Sequence, residues 1–347
     1  MKMRWMVKHL FAIALLAWAT PAWAQSTPVA PGSEGAELAE TTVSATEEAE
    51  DSKAWSVGAN MGISMGIGTL VSDEYARRSR VRWNLGLNGS YTIPVVDVDV
   101  GLSTGFSQWL TEAGGSQTVQ EFRWSDTNLG FSRSIYTIPV VDIAISGGLD
   151  FTIPTSSFSR AAGLYTSISP SLSFSGSYGP LSVSYSLAYA HNFYEYTSMT
   201  FDPADVDILS RGSGNETISR DTVAQDGVLG EFGLYNQFSI AYSFLDDFRL
   251  SIGFGFSDDW TFDNGTITEE DDFTSEYASV GRGHSQRSNG SLRLSYSPLR
   301  QLSFSASMTS SQPWKTDDNS SYRFPFIDLE SPANNFTYFG LGANFNY

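Results

Sequence analysis

The feature that most constrains the fold is an alternation of apolar and small polar residues that recurs from Trp55 to the end of the chain. In its first occurrence, Trp55 and Val57 begin an apolar series, and Ser56 and Gly58 begin the interleaved small polar series. Because successive side chains of a strand point to opposite faces, a period of two predicts strands with one apolar and one polar face. The sequence therefore predicts an all-β chain.

About twelve such strands can be delimited, each near the ~10-residue length of a strand that crosses a bilayer, or somewhat longer. Their predicted spans are 54–68, 80–93, 96–110, 120–138, 140–153, 163–178, 181–197, 228–244, 247–262, 285–297, 301–312 and 335–347. The alternation slips between Trp124 and Leu129 in the fourth span, where we expect a β-bulge.

The connections between these strands alternate strictly between short and long. The short ones contain Pro94, Pro139, Gly179, Leu245 and Pro298, and the long ones surround Asp73, Gly114, Ser157, Gly214, Glu270 and Asn319. A soluble sandwich of hairpins has no reason to keep this parity, whereas bacterial membrane barrels have short periplasmic turns and long extracellular loops. We predict a single transmembrane antiparallel up-and-down β-barrel over 54–347.

The first 53 residues follow a different pattern. Lys2, Arg4 and Lys8 precede a short apolar run that ends in Pro-Ala-Trp-Ala, which predicts a cleavable signal peptide over 1–24. Residues 25–53 are acidic and contain no aromatic side chain, so they cannot bury enough surface to offset their ordering entropy. We expect a disordered acidic periplasmic tail there.

The charge of the chain excludes one class of partner. The formal net charge of −18 becomes −21 when the three basic residues of the predicted signal peptide are removed. Nucleic acid is therefore not expected as a partner, since its phosphates would be repelled. The chain has no cysteine, so disulfides do not stabilise it.

A seven-residue repeat supports the hairpin organisation. Tyr91–Asp97 and Tyr136–Asp142 have the same sequence, which reads as a strand end, a tight turn and a strand start. Duplication of a hairpin and convergent turn chemistry both explain it.

By parity, one group of outward aromatic residues lies near the short turns and a second near the long loops, as in the two aromatic belts of a membrane barrel. The first group is Tyr91, Tyr178, Tyr242, Phe244, Phe248, Tyr296 and Tyr347, and the second is Trp83, Trp260 and Phe262.

The last predicted strand resembles the signal that outer-membrane barrels present to their assembly machinery. Its apolar series ends in an aromatic C-terminal residue and comprises Phe339, Leu341, Ala343, Phe345 and Tyr347. At family level the chain is similar to twelve-stranded outer-membrane channels. The resemblance implies location in the outer membrane, with its lipid and the barrel assembly machinery as partners.

The predicted inward faces consist mainly of Ser, Gly and Asn, which leave room for water, so we expect passive diffusion of small hydrophilic solutes or ions. The charged candidates for a constriction are Arg82, Asp97, Asp99, Asp142, Asp150, Glu231, Arg249, Asp259, Arg287 and Arg293. Most of them could instead form salt bridges within the lumen. Arg287 and Arg293 share a face and could belong to a basic track. A lumen blocked by residues 198–227 is an alternative to an open pore.

Two other functions remain open from the sequence. The segment from His284 to Gly290 resembles outer-membrane phospholipases, which place His, Ser and Asn on neighbouring positions of a twelve-stranded barrel. In that family His and Ser are two positions apart, whereas His284 and Ser288 are four apart, about 13 Å along a strand. A structural or adhesive barrel that does not conduct is the second alternative. No cofactor or metal motif is present, and the acidic run 269–272 is expected to be solvated.

The predicted loops carry a strong excess of acidic residues. They include Asp202, Asp205, Asp207, Glu216, Asp221, Asp226, Asp263, Glu269, Glu270, Asp271, Asp272 and Glu276, against Arg211, Arg220 and Arg282. A ring of carboxylates at the outer mouth raises the local concentration of cations. We therefore expect modest cation selectivity at low salt, unless lumenal arginines override it.

Overall fold

The structure, a computed structural model, describes residues 54–69, 81–111, 122–139, 141–197, 229–245, 247–263, 281–315, 320–323 and 337–347. The predicted signal peptide and tail, the segment 198–227 and the acidic run 269–272 lie outside these residues. No helix in the described ranges is long and apolar enough to cross a membrane.

Thirteen strands occur within the described residues, and they form one antiparallel sheet. They are β1 (Trp55–Gly66), β2 (Val81–Ile93), β3 (Val98–Trp109), β4 (Phe122–Trp124), β5 (Thr127–Ile138), β6 (Ile143–Ile153), β7 (Leu164–Tyr178), β8 (Leu181–Tyr194), β9 (Gly230–Phe244), β10 (Phe248–Asp263), β11 (Arg282–Leu299), β12 (Leu302–Pro313) and β13 (Thr337–Asn346). β13 pairs with β1, so the sheet closes on itself. Because β4 and β5 both pair with β3, they share one place in the wall. The prediction of a twelve-stranded antiparallel barrel is confirmed.

The cross-strand register keeps the two faces of the wall separate around the whole barrel. Residues that pair directly lie on the same face, as in Ser56–Ser90, Asn60–Asn344 and Ser184–Ser239. The small polar series therefore forms a continuous lumenal face, and the apolar series forms the outer face. Large apolar side chains of the outer face are exposed, for example Leu87, Ile252 and Leu341.

The short connections lie at one end of the barrel, called here the turn end, and the long ones at the other, called the loop end. At the turn end, Asp97 and Asp142 both have a φ of 52°, a left-handed conformation that Asp tolerates. The backbone N–H groups of Val96 and Asp97 donate to the carbonyl oxygen of Ile93 at 3.3 and 3.0 Å. The repeated heptapeptide is therefore a repeated turn that requires a left-handed Asp.

The expected bulge in the fourth predicted span is present. The pairing with β3 shifts by one residue between Trp124 and Asn128, so that span is divided into β4 and β5. The interruption releases Asp126 from the ladder, and its carboxylate accepts hydrogen bonds from the Ser156 backbone N–H at 2.8 Å and from the Ser159 hydroxyl. These bonds connect the wall to a short helix, α1 (Ser157–Ala161), at the loop end.

Two further bulges change which face a residue occupies. One lies between Ser134 and Tyr136 in β5, and it places Tyr136 on the outer face opposite Ile145. The other makes Glu231 the extra residue of β9, because Phe232 pairs with Trp260 whereas Gly230 pairs with Thr261. A bulge leaves one residue unpaired and reverses the parity of the residues beyond it.

Candidate functional site

The lumenal wall is the candidate functional site. The register places seven of the ten predicted charged residues on this face, namely Arg82, Asp99, Asp150, Arg249, Asp259, Arg287 and Arg293. They are distributed around the wall rather than gathered in one ring. Arg249 donates to the Ser182 hydroxyl at 2.8 Å, and Asp99 accepts from the Thr92 hydroxyl at 2.5 Å.

The other three predicted residues lie elsewhere. Asp97 and Asp142 were expected to face the lumen, but both lie in turns at the end of the barrel. Both adopt the left-handed backbone conformation that these turns require, with a φ of 52°. Glu231 was also expected to face inward. Its carboxylate forms a 2.8 Å ion pair with Arg282, whose guanidinium lies 5.2 Å from the centre of the Phe232 ring on the outer face. The β9 bulge explains this difference, because it reverses the parity that the prediction used.

Two lumenal residues were not among the predicted candidates. Arg123 pairs with Ser107 on the lumenal face, although counting back from Asn128 in steps of two assigns it to the outer face. The slipped alternation near Trp124 was the signal that could have identified it. Trp109 pairs with Arg82, and the Arg82 guanidinium lies 5.7 Å from the centre of its ring. Both residues lie at the loop end.

A hydrogen-bonded network crosses the lumenal wall between β9, β10 and β11. The Tyr235 hydroxyl donates to the Asp259 carboxylate at 2.7 Å, and Asp259 also interacts electrostatically with Arg287. Gly233 pairs with Asp259, and a Cβ atom at this position would overlap both the Tyr235 hydroxyl and the carboxylate. Glycine thus leaves the space through which the Tyr235 ring, only 1% exposed, reaches its partner.

The lumenal face differs in exposure between two regions. From β7 to β11, towards the loop end, inward residues are buried, including Ala188, Ala190, Tyr235, Ser257 and Asn289. Towards the turn end of β1, β2 and β5, inward residues are exposed, including Ser56, Asn60, Asn88, Ser90 and Ser132. Lumenal side chains are therefore more accessible to solvent at the turn end than beside Tyr235.

A neutral amide surface covers the wall where the chain ends meet. The side chains of Asn60, Asn88 and Asn346 lie against lumenal glycines, because an added Cβ at Gly58 or Gly86 would overlap them. The pairing of glycine with asparagine lets each amide lie along the wall without narrowing the lumen. This surface can exchange hydrogen bonds with a hydroxylated solute.

The His284–Ser288 arrangement does not form a catalytic pair. Both residues lie on the outer face, and Ser288 pairs with Phe256 and Gln312. The Phe256 and Trp314 rings stack 4.2 Å apart across this region, and Ser288 is only 3% exposed. His284 instead contacts the Asp258 carboxylate at 3.1 Å and stacks on Trp260. In the described part of the chain no group of three or more His, Cys, Asp or Glu residues could hold a metal ion.

The aromatic residues of the outer face complete the description of the wall. Near the turn end, rings stack along the outer face from Tyr242 through Phe244 and Phe248 to Tyr296. Near the loop end, Phe232, Trp260 and His284 stack at centroid distances of 5.0 and 4.7 Å. A closed wall with an exposed apolar outer face between two aromatic belts is the structure of an outer-membrane β-barrel. The chain is a protein of the bacterial outer membrane.

Comparison with known proteins finds similarity to solved structures of outer-membrane proteins, at TM-scores below 0.5. An outer-membrane channel from Pseudomonas putida F1 is 10% identical and aligns over 87% of this chain and 100% of its own, with a TM-score of 0.49. The porin NanC is 9% identical over 83% of this chain and 98% of its own, with a TM-score of 0.42. The outer membrane phospholipase A of Escherichia coli is 13% identical over 83% and 92%, with a TM-score of 0.36. No protein-family model and no curated protein matches the chain.

Proposed function

We propose that the chain is an outer-membrane pore through which small hydrophilic solutes or ions diffuse passively. The observation that carries this proposal is the continuous lumenal face of Ser, Gly and Asn, exposed to solvent towards the turn end. Small polar side chains on the inside of a twelve-stranded wall leave a cross-section that water can fill. The charged residues along this face supply the fixed charges that distinguish one permeating ion from another.

The buried part of the lumenal face locates the slower part of the proposed passage. Tyr235 lies on this face, its hydroxyl donates to Asp259 at 2.7 Å, and its ring is only 1% exposed. Lumenal residues from β7 to β11 beside it are also buried, whereas those at the turn end of β1 and β2 are exposed. In the proposed pore, solutes would meet most of their resistance beside Tyr235.

Single-channel recording of the refolded protein in a planar bilayer tests the pore. We expect discrete conductance steps, and Tyr235→Ala should raise the conductance because it removes a ring from the buried part of the lumenal face. Tyr185→Ala is the matched control, since Tyr185 pairs with Phe238 on the outer face. Absence of conductance from correctly folded protein would favour a structural or adhesive barrel instead.

A further inference from the structure

Four of the lumenal arginines lie in two adjacent rows of paired residues. Starting at Arg249, the first row runs through Ser295, Ser305, Gly342, Gly62, Asn84 and Ser107 to Arg123. The second row runs from Arg293 through Ser307, Gly340, Ser64 and Arg82 to Trp109. We call these two rows together the arginine ramp.

The ramp runs between the two ends of the barrel. Arg249 is the second residue of β10 and lies next to a short turn, whereas Arg123 lies in β4 beside a long loop. Barrel strands are tilted by about 35–45°, so a row of paired residues winds around the wall and changes height as it goes. From β10 to β4 the first row crosses seven strand-to-strand steps of ~4.8 Å, about 34 Å of wall.

The charges of the ramp all have the same sign. Every residue of the two rows is Arg, Ser, Gly, Asn or Trp, and none of them is acidic. The lumenal aspartates lie in other rows: Asp150 pairs with Gly130, Asp259 with Gly233, and Asp99 with Ser132. Among the described residues, the lumenal aspartates therefore pair in rows other than the two that contain the four arginines. Such a strip in a wall of low dielectric constant attracts anions along its length.

The residues between the arginines suit a solute that carries hydroxyl groups. Arg293 and Arg82 are separated by four strand steps, about 19 Å, which Ser307, Gly340 and Ser64 occupy. Serine hydroxyls and the Asn84 amide both donate and accept hydrogen bonds. Glycine has no side chain to project into the lumen. A solute can therefore stay close to these hydroxyl and amide groups while its anionic group moves from one guanidinium to the next.

We propose that the arginine ramp is the permeation path for small hydroxylated organic anions that bear a carboxylate or phosphate group. The guanidinium groups bind the anionic group in succession, and the serine and asparagine side chains bind the hydroxyls between them. This inference rests on the proposed pore function and names its substrate class. It would reverse the cation preference that the acidic sequence of the loops predicts, because the four arginines lie on the lumenal wall itself.

Salt concentration distinguishes the effect of the ramp arginines on ion selectivity from the effect of the loop carboxylates. The Debye length falls from ~30 Å at 0.01 M to ~3 Å at 1 M, so charges that do not contact the permeating ion are screened at high salt. Groups that contact the permeating ion are screened far less. We therefore expect anion preference at 1 M salt in the wild-type protein, with the loop carboxylates reducing it at low salt.

Reversal potentials in potassium chloride and potassium gluconate gradients test the ramp. Gluconate is a hydroxylated carboxylate and serves as the probe. The double variants Arg249→Gln/Arg293→Gln and Arg82→Gln/Arg123→Gln should each lower the anion-to-cation permeability ratio several-fold. Arg133→Gln is the matched control, since it removes the same charge from the outer face opposite Gly147 and should leave the ratio unchanged. Cation preference of the wild type at 1 M, or equal shifts in control and ramp variants, would refute the ramp.

A second measurement distinguishes failure of the ramp proposal from failure of the pore proposal. Gluconate should raise the thermal unfolding temperature of the wild-type barrel and of Arg133→Gln, and it should raise that of the ramp variants less. Stabilisation without any conductance would refute the pore while leaving the ramp as an anion-binding site. Conductance with neither anion preference nor gluconate stabilisation would refute the ramp alone.

Discussion

Individual glycines decide where polar side chains can lie on the lumenal wall. Asp150 lies against Gly130, Asn60 against Gly86, and Tyr235 and Asp259 meet over Gly233. In each case a Cβ atom on the glycine would overlap the side chain opposite. These glycines therefore leave the space in which the neighbouring polar side chains lie along the wall.

Gly233→Ala should break the Tyr235–Asp259 hydrogen bond, because the new methyl group would overlap both partners. A hydrogen bond to a charged group contributes about 1.5–3 kcal/mol, so we expect a loss of folding stability of that order. Urea unfolding of the barrel in lipid or detergent measures it. Gly101→Ala is the control, since only a backbone oxygen at 4.0 Å lies near its Cβ position. Equal effects of the two substitutions would contradict the role given to Gly233.

Ser288 is expected to have no catalytic role. The Ser288 residue lies in the region of the stacked Phe256 and Trp314 rings, and His284 forms a hydrogen bond with Asp258 rather than with Ser288. The pure protein should release no fatty acid from phospholipid vesicles, and Ser288→Ala should match the wild type in that assay. Hydrolysis that disappears in Ser288→Ala, with folding intact, would make the chain a lipid hydrolase.

At the scale of elements, the last residue of the chain takes part in the closure of the barrel, beyond the nine residue pairs between β1 and β13. The Tyr347 N–H donates to the Val57 carbonyl at 2.8 Å, and the Val57 N–H donates to the Tyr347 carbonyl at 3.0 Å. Its ring lies 5.8 Å from that of Trp55. On the same outer face, Leu341 and Phe345 are exposed, and Phe339 pairs with Met65. The predicted assembly signal is thus also the seam between the first and last strands.

Deleting Tyr347 should lower the fraction of heat-modifiable folded protein in membranes, because it removes two backbone hydrogen bonds and a ring contact at the seam. Electrophoresis of heated and unheated membrane samples measures this fraction. Tyr347→Phe keeps the ring and the backbone bonds and should fold as the wild type does. Normal folding of the deletion variant would remove the role of this residue in both closure and assembly.

At the scale of the whole molecule, the parity of connection lengths determines the orientation that we expect in the membrane. Short turns and both ends of the barrel chain lie at one end of the wall, and the long connections lie at the other. In bacterial barrels the short turns face the periplasm. The acidic segment 25–53 would then be periplasmic, and the acidic loops would face the exterior.

Protease added to intact cells should therefore cut within 198–227 or 263–284 and leave 25–53 uncut. The same protease added to permeabilised cells should remove 25–53 as well, which shows that the segment can be cut when it is reached. Fragments separated by size and identified by mass spectrometry provide the readout. Loss of 25–53 from intact cells would reverse the orientation.

The strands, their number and the residue types of the two faces could be predicted from the sequence because they follow from a local period of two. The turn parity and the bulge near Trp124 could be predicted for the same reason. Parity placed ten charged residues on the lumenal face, and the cross-strand register puts seven of them there. The faces of Glu231 and Arg123 differ from those that parity gives, because each lies at a bulge whose position depends on the pairing with a neighbouring strand.

The sequence by itself determined that this chain forms an amphipathic β-barrel, since alternation acts between adjacent residues and requires no knowledge of the partner strand. Only the tertiary structure decided which lumenal residues meet. Arg249 and Arg123 are distant in the sequence, yet seven successive pairings place them in one row. The register of each pair of strands is set by turns and bulges along the entire wall, so the ramp exists only when the barrel has closed.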